Sequence, residues 1–302
     1  MFLEIVDYLS RADVWIAFLT LSLLEIVLGI DNVIFISIAA NKLSEKARGK
    51  ARALGLFLAL IMRVAVLWTI VVLVRKTAPI FSFGDFNVSW RDLVLCGGGL
   101  FLLYKATVEI GAELKGVEAS AQPATASVFG LVVIQIVLLD LVFSIDSIFT
   151  AVGLSRKLPV MIAAIVVAIL VMMLASGVVG GFIHRHPTIK MLALAFLVMV
   201  ALALLGDAGH LDIDRIYLYG SIAFSFIVEI LSLTLLRGAR RLSALIFVPC
   251  AALLIGALCG ARSMGLDIDW SYVAVPISFG LIVQVLNALA HQARTASRLA
   301  DG

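Results

Sequence analysis

The chain has 302 residues, 63% of them hydrophobic and only 14% charged, with a net charge of +3 and a mean hydropathy of +1.14. Soluble domains lie near 45–50% apolar and about 25% charged, so this composition excludes a water-soluble globular domain and points to a polytopic membrane protein. The small positive balance belongs mostly to loops and indicates no nucleic-acid partner.

In chain order, the N-terminal MFLEIVDYLSRADVW lacks a basic n-region and a small-residue cleavage site, so it does not read as a signal peptide. A bilayer core about 30 Å thick needs about 20 apolar residues per helix. Nine stretches qualify, at about 14–40, 53–74, 92–110, 127–154, 159–182, 188–206, 217–236, 242–261 and 272–290. They define an all-α polytopic membrane protein. The first span carries EIVLGIDNVIF at 25–35, which places Glu25 and Asp31 in an otherwise apolar run. The third contains GGG at 97–99, which permits close helix packing. Residues 111–126, GAELKGVEASAQPATA, read as a flexible cytoplasmic linker. The fourth span carries DLVFSIDSIFT at 140–150, with Asp140 and Asp146. Tyr217, Tyr219, Trp270 and Tyr272 fall at span ends, where aromatic rings anchor at the membrane interface. Cys96, Cys250 and Cys259 show neither CxxC nor zinc-ligand spacing and read as packing residues.

Lys and Arg favour cytoplasmic loops. With the N-terminus outside, 14 of the 23 basic residues fall inside and 8 outside, and Arg63 lies within the second span. The strongest contributions are NKLSEKARGKAR at 41–52 and RGARR at 237–241. The expected orientation is N-terminus outside and C-terminus cytoplasmic.

Two internal repeats organise the spans. A shift of 115 residues lays Leu24, Val27, Ile30 and Asp31 on Leu139, Val142, Ile145 and Asp146. The copies are three spans apart and so run in opposite directions, the mark of an inverted-topology repeat. This organisation gives a first three-helix repeat at 10–110, the linker at 111–126 and a second three-helix repeat at 127–206. A seventh helix at 207–236 and an additional helix pair with a tail at 237–302 follow. A shift of 55 residues matches LDIDRIYLYGSIAFSFIVEIL at 211–231 to LDIDWSYVAVPISFGLIVQVL at 266–286. This second repeat is parallel. Glu229 becomes Gln284 in its later copy, so the last helix pair reads as a structural addition.

The acids need a shared explanation, because a charge at the bilayer centre costs about 3 to more than 10 kcal/mol. Arg63 and Lys105 are the available cations, two against five acids when Glu229 is counted. The excess calls for protons or a bound cation. Residues six apart on an ideal helix differ by about 240° and about 9 Å, so Glu25 and Asp31 share a site only where the helix departs from regularity. Gly29 allows either a discontinuous helix or an unbroken one in close contact with a neighbour. The histidines lie at span ends or in loops, and no cysteine lies in the two motif helices. Oxygen donors remain: Asp31, Asp146, Glu25, Asp140, Asn32 and Ser147. They suit Mg²⁺, Ca²⁺ or Mn²⁺, and equally Na⁺ or H⁺.

The segments LLEIVLGIDNVIFISI, GGGLFLLYKATVEI, IVLLDLVFSIDSIFTAVGL, HPTIKMLALAFLVMV and YGSIAFSFIVEIL resemble successive parts of the TerC family of bacterial membrane proteins. The resemblance covers about residues 10–236. It implies a relation to LysE-type exporters, an association with tellurium resistance and a role in manganese efflux. The family's acidic positions fall on Glu25, Asp31, Asp140 and Asp146, and Asn32 matches as well. The family's V-E-x-L-N falls on Val228-Glu229-Ile230-Leu231-Ser232, with serine in place of asparagine. The duplicated copy reads Val283-Gln284-Val285-Leu286-Asn287, which keeps the asparagine and loses the acid.

The expected activity is export of a hard divalent cation, Mn²⁺ foremost, in exchange for protons, through a carboxylate site between the inverted repeats. Asp31 and Asp146 are its central ligands, with Glu25 and Asp140 as a second ligand pair or proton carriers. Glu229 closes the cage or takes the exchanged proton. The expected partners are the divalent metal substrate and the lipid bilayer of the cell inner (plasma) membrane. A homo-oligomer and envelope-protein partners are compatible with the family, and no prosthetic group is expected. The alternative, drawn from plastid relatives, is a membrane scaffold that aids insertion or metalation of envelope proteins. Catalysis is disfavoured, because Ser144 and Ser147 beside Asp146 have no histidine to activate them.

Overall fold

In lipid every backbone polar group needs a partner within the chain, and helices provide this segment by segment. The computed structural model follows that rule and describes residues 11–73, 81–83, 86–115, 125–154, 158–211, 213–235, 244–264 and 268–300. The helices are α1 (Ala12–Ala40), α2 (Glu45–Leu73), α3 (Trp90–Leu114), α4 (Ala126–Leu154), α5 (Leu158–Arg185), α6 (Pro187–Ala208), α7 (Arg215–Leu235), α8 (Ala244–Ser263) and α9 (Ser271–Ala300). Among the described residues eight helices meet the length and hydropathy of a membrane span, and α1 makes a ninth when its two parts count as one. A short antiparallel hairpin, β1 (Phe81–Phe83) with β2 (Phe86–Val88), sits in the loop between α2 and α3. It is the one element that the apolar-span reading does not foresee, because three-residue strands are too short to leave a periodic signal. Helix α3 runs on to Leu114, so the linker's first residues are helical, and 116–124 lie outside the described residues.

Helix ends follow local chemistry. At the end of α1 the Arg48 side chain donates to the carbonyls of Leu43 (2.8 Å) and Asn41 (3.3 Å), which supplies partners that the turn leaves open. Pro187, which needs no backbone donor, starts α6 directly after α5 ends. Asp214 Oδ1 accepts from the Ile216 amide at 3.0 Å, and Asp269 Oδ1 accepts from the Ser271 amide at 2.8 Å. These two caps are 55 residues apart, so the parallel repeat conserves its cap as well as its apolar pattern.

Helix α1 stays helical throughout but bends by 44° between Ala12–Val27 and Asn32–Ala40. The discontinuity considered at G-I-D-N is therefore a bend, with helical backbone kept through residues 28–31. Gly29 also makes a close contact: a Cβ there would lie 2.6 Å from Met172 Sδ of α5.

The chain divides into two compact units. The first holds α1, α2, α4 and α5. Within it, α1 packs most extensively on α5, and α2 on α4, while α1 also meets α4. The first helix of each repeat thus rests mainly on the second helix of the other. Phe35 of α1 stacks on Phe143 of α4 with centroids 5.4 Å apart. The carbonyl of Ser176 in α5 accepts from Ser37 Oγ (3.2 Å) and Arg52 Nη1 (2.8 Å), which ties α1 and α2 to α5.

The second unit holds α3 and α6 to α9. Helix α6 is apolar all round and accordingly the most buried of the spans. Helices α7 and α9, the two copies of the parallel repeat, pack extensively on each other. The repeat-matched Tyr217 and Tyr272 stack with centroids 5.1 Å apart, and Phe224 meets Phe247 of α8 edge to face at 5.7 Å. Glu113 of α3 accepts from Lys190 of α6 and, at 2.5 Å, from Arg294 of α9. One carboxylate thereby joins three helix ends.

Candidate functional site

Ser22, Glu25, Gly29 and Asn32 are spaced by three, four and three residues, so they line one face of α1. On α2, Leu56, Ala59, Arg63 and Leu67 form the buried stripe, which turns Arg63 inward. On α4, Ile136, Asp140 and Ser144 do the same. The three stripes meet around the Arg63 guanidinium. Its Nη1 donates to Glu25 Oε2 at 2.6 Å, its Nη2 to Asp140 Oδ1 at 2.7 Å and its Nε to Asp140 Oδ2 at 3.2 Å. Asn32 Nδ2 donates to Asp140 Oδ1 at 3.4 Å. Arg63, Glu25 and Asp140 are each at most 2% exposed, so water does not screen the cluster.

Glu25 and Asp140 are matched by the 115-residue shift, so the cluster joins equivalent positions of the two repeats. The cation is not matched. The buried stripe of α5, Ile169, Met172, Ser176 and Gly180, has the spacing of the α2 stripe and carries Ser176 where α2 carries Arg63. One fixed positive charge, which does not lose its proton, therefore stands between two carboxylates. Two further buried oxygens, Asn32 Oδ1 and Ser22 Oγ, have no hydrogen-bond partner among the described residues. Each such group costs about 1–3 kcal/mol while nothing satisfies it.

Of the residues singled out in the sequence, the structure brings together Glu25, Asp140 and Asn32. The side chains of Asp31, Asp146 and Ser147 lie outside the described residues, although their backbones continue α1 and α4. Glu229 belongs to the second unit, where Asn287 Nδ2 donates to its Oε2 at 3.4 Å. Among the described residues no group of three or more His, Cys, Asp and Glu side chains is arranged to hold a metal ion. Composition identified Arg63 only as an available cation. Its place follows from the burial of its helical stripe, which only the fold reveals, whereas the signal for Asn287 was the split of V-E-x-L-N between two helices.

These features define a polytopic helical membrane protein with a charged cluster buried where two internal repeats meet. The integral membrane protein TerC family matches residues 10–243, and the chain belongs to that family. It is 47% identical over 225 residues to the UPF0053 inner membrane protein YoaE of Escherichia coli (strain K12), a match covering 74% of this chain and 43% of YoaE. It is 45% identical over 234 residues to the UPF0053 inner membrane protein YgdQ of the same strain, covering 78% of this chain and 98% of YgdQ. A UPF0053 protein of Haemophilus influenzae is 42% identical over 232 residues, 76% of this chain and 98% of that relative. The chain thus matches less than half the length of YoaE and nearly all of the shorter relatives. No solved structure matches. Helices α8 and α9 lie beyond the family match.

Proposed function

We propose that this protein exports a hard divalent cation, Mn²⁺ foremost, from the cytoplasm across the inner membrane, in exchange for protons and without a prosthetic group. The observation that carries this reading is the meeting of the repeat-matched acids Glu25 and Asp140 inside apolar helices, beside two buried oxygens that lack partners among the described residues. Ionisable groups at such a depth mark ion paths more often than supports. Oxygen-only donors favour Mn²⁺, Mg²⁺ or Ca²⁺ over Zn²⁺ or Cu⁺, and the family resemblance directs the choice to Mn²⁺. Asp31 and Asp146, six residues beyond the pair on α1 and α4, are assigned as central ligands with Asn32 and Ser147. Glu25 and Asp140 are the second pair, and Glu229 is assigned to the exchanged proton. The inner-membrane location rests on the relatives' names, and the orientation on the basic loops.

The decisive measurement is intracellular manganese in cells with and without this protein under manganese stress. Cells carrying it should hold less metal, and Asp31→Asn combined with Asp146→Asn should raise the level to that of cells lacking it. If the double variant protects as well as the parent, export through these acids is wrong and a scaffold remains. In vesicles, an inward proton gradient should raise metal flux, and flux indifferent to ΔpH would remove the coupling alone.

A further inference from the structure

We propose that Arg63 is a tethered cation that holds the Glu25–Asp140 pair when no cargo is present and competes with the cargo for those carboxylates. The proposal rests on the export reading for the identity of the cargo, but its geometry is independent of it. A guanidinium is the one side chain whose charge is permanent and whose planar fork engages two carboxylates at once. Three of its N–H bonds are spent here, two on Asp140 and one on Glu25. One guanidinium thus faces two carboxyl groups, so the pair is restrained by a charge that can balance only one of them.

A purely structural ion pair would be expected to satisfy its surroundings. This one does not, because Asn32 Oδ1 and Ser22 Oγ lie along the same face of α1 as Glu25 without partners among the described residues. The Asn32 amide already faces Asp140 through its nitrogen. Turning that amide over presents its oxygen on the same side, and the donor set then becomes two carboxylates and an amide oxygen, with Ser22 a turn further along α1 and outside it. That set fits a hard cation. The asymmetry of the repeats points the same way. Among the described residues two equivalent acids bond to one cation, which the first repeat supplies, whereas the second carries uncharged Ser176 at the matching place of its buried stripe. A symmetric structural lock would carry a cation on each side. In the exchange, the incoming ion takes the carboxylates while Arg63 keeps its charge and loses three hydrogen bonds; its return on release expels the ion and closes the pair against leak.

The test is equilibrium Mn²⁺ binding by the purified full chain in detergent, comparing the parent with Arg63→Gln, Arg63→Lys and the uncharged triple variant E25Q/R63Q/D140N. A competitor that occupies the site most of the time lowers apparent affinity in proportion to the free fraction, so Arg63→Gln should bind Mn²⁺ about tenfold tighter or more. Arg63→Lys, which keeps the charge but lacks the fork, should fall between it and the parent, and serves if Arg63→Gln does not fold. The triple variant should lose the gain. Binding by Arg63→Gln, or by a folded Arg63→Lys where the former fails, no tighter than by a parent that does bind Mn²⁺ overturns the tethered cation and leaves export standing. Absence of Mn²⁺ binding in every variant overturns both, whereas binding gained only on removing Arg63 supports the tethered cation and returns the parent's cargo to the flux assay.

Discussion

Glu25 and Asp140 are equivalent by repeat but unequal in their bonds to Arg63, and that inequality sets how each variant should behave. Asp140 accepts two bonds from Arg63, while Glu25 accepts one of the three. Removing the Glu25 charge leaves the forked Arg63–Asp140 pair intact, so Glu25→Gln should cost the least stability of the three variants. Asp140→Asn leaves Arg63 held by a single bond and should cost more. Arg63→Gln leaves two buried carboxylates uncompensated and should be the worst of the three, near the 3–5 kcal/mol typical of breaking a buried pair. Thermal unfolding in detergent gives the order, and an Arg63→Gln melt above that of Asp140→Asn would show that the cluster is not electrostatically coupled. Glycines offer a second contrast at this scale. A Cβ on Gly99 would lie 2.9 Å from Leu205 Cγ and 3.0 Å from the backbone oxygen of Ala201, whereas the one on Gly29 meets the thioether of Met172. Backbone cannot give way and a flexible methionine can, so Gly99→Ala should destabilise by about 1–3 kcal/mol and Gly29→Ala by clearly less. Equal melts for the two would refute that distinction. The GGG run announced close packing in the sequence, but not which glycine makes it. Gly97 has nothing within 4 Å, and only the rotation of α3 about its axis decides this.

At the scale of elements, the duplicated helices are the informative pair. Positions 228–232 and 283–287 each carry half of V-E-x-L-N, and in the fold Asn287 of α9 reaches Glu229 of α7. The last helix pair is therefore more than an apolar addition, because it returns to α7 the amide that Ser232 does not provide. Ser232 Oγ, one turn from Glu229, is buried without a partner among the described residues. Asn287→Ala should lower the melting temperature and increase hydrogen exchange in α7, and adding Ser232→Asn to that variant should restore much of both. A double variant no better than Asn287→Ala would mean that the amide matters only where α9 places it. The caps make a smaller, pH-dependent statement. The amide of Ser271 first, then its hydroxyl, then Arg262 hold the Asp269 carboxylate below its ordinary range. Its contribution is thus complete above the usual carboxylate pKa and fades only as pH falls through the depressed value. The helix lengths were legible because twenty apolar residues in a row have few other readings. The Arg63 contacts were not, because pairing among α1, α2 and α4 depends on which faces cross, and 3.6-residue periodicity is nearly silent when a helix is apolar on all sides.

For the molecule as a whole, the number of spans decides which side of the membrane each end reaches, and this can be tested independently of any ion. In the proposed orientation the basic loops at 41–52 and 237–241 put the ends of α1 and α7 on the cytoplasmic side, and α8 with α9 would form a further crossing out and back. Adding two spans leaves the sidedness of the C-terminus unchanged, whereas adding one reverses it. A fluorescent protein that matures only in the cytoplasm should therefore glow when fused after residue 235 or after residue 300, and stay dark when fused after residue 264. Alkaline phosphatase fusions should show the opposite pattern. Helix α8 is the discriminating element, since only 6% of its span is buried within the chain and little besides lipid would then hold it in place. Its apolar run still meets the length of a crossing, with mean hydropathy 1.8 over Ile246–Ser263. Bright fluorescence at 264 would place α8 along the membrane surface and leave α9 alone to cross. The chain's end would then lie outside, the positive-inside balance would lose Arg294 and Arg298, and the Glu113–Arg294 pair could not form, because Glu113 stays at the cytoplasmic end of α3.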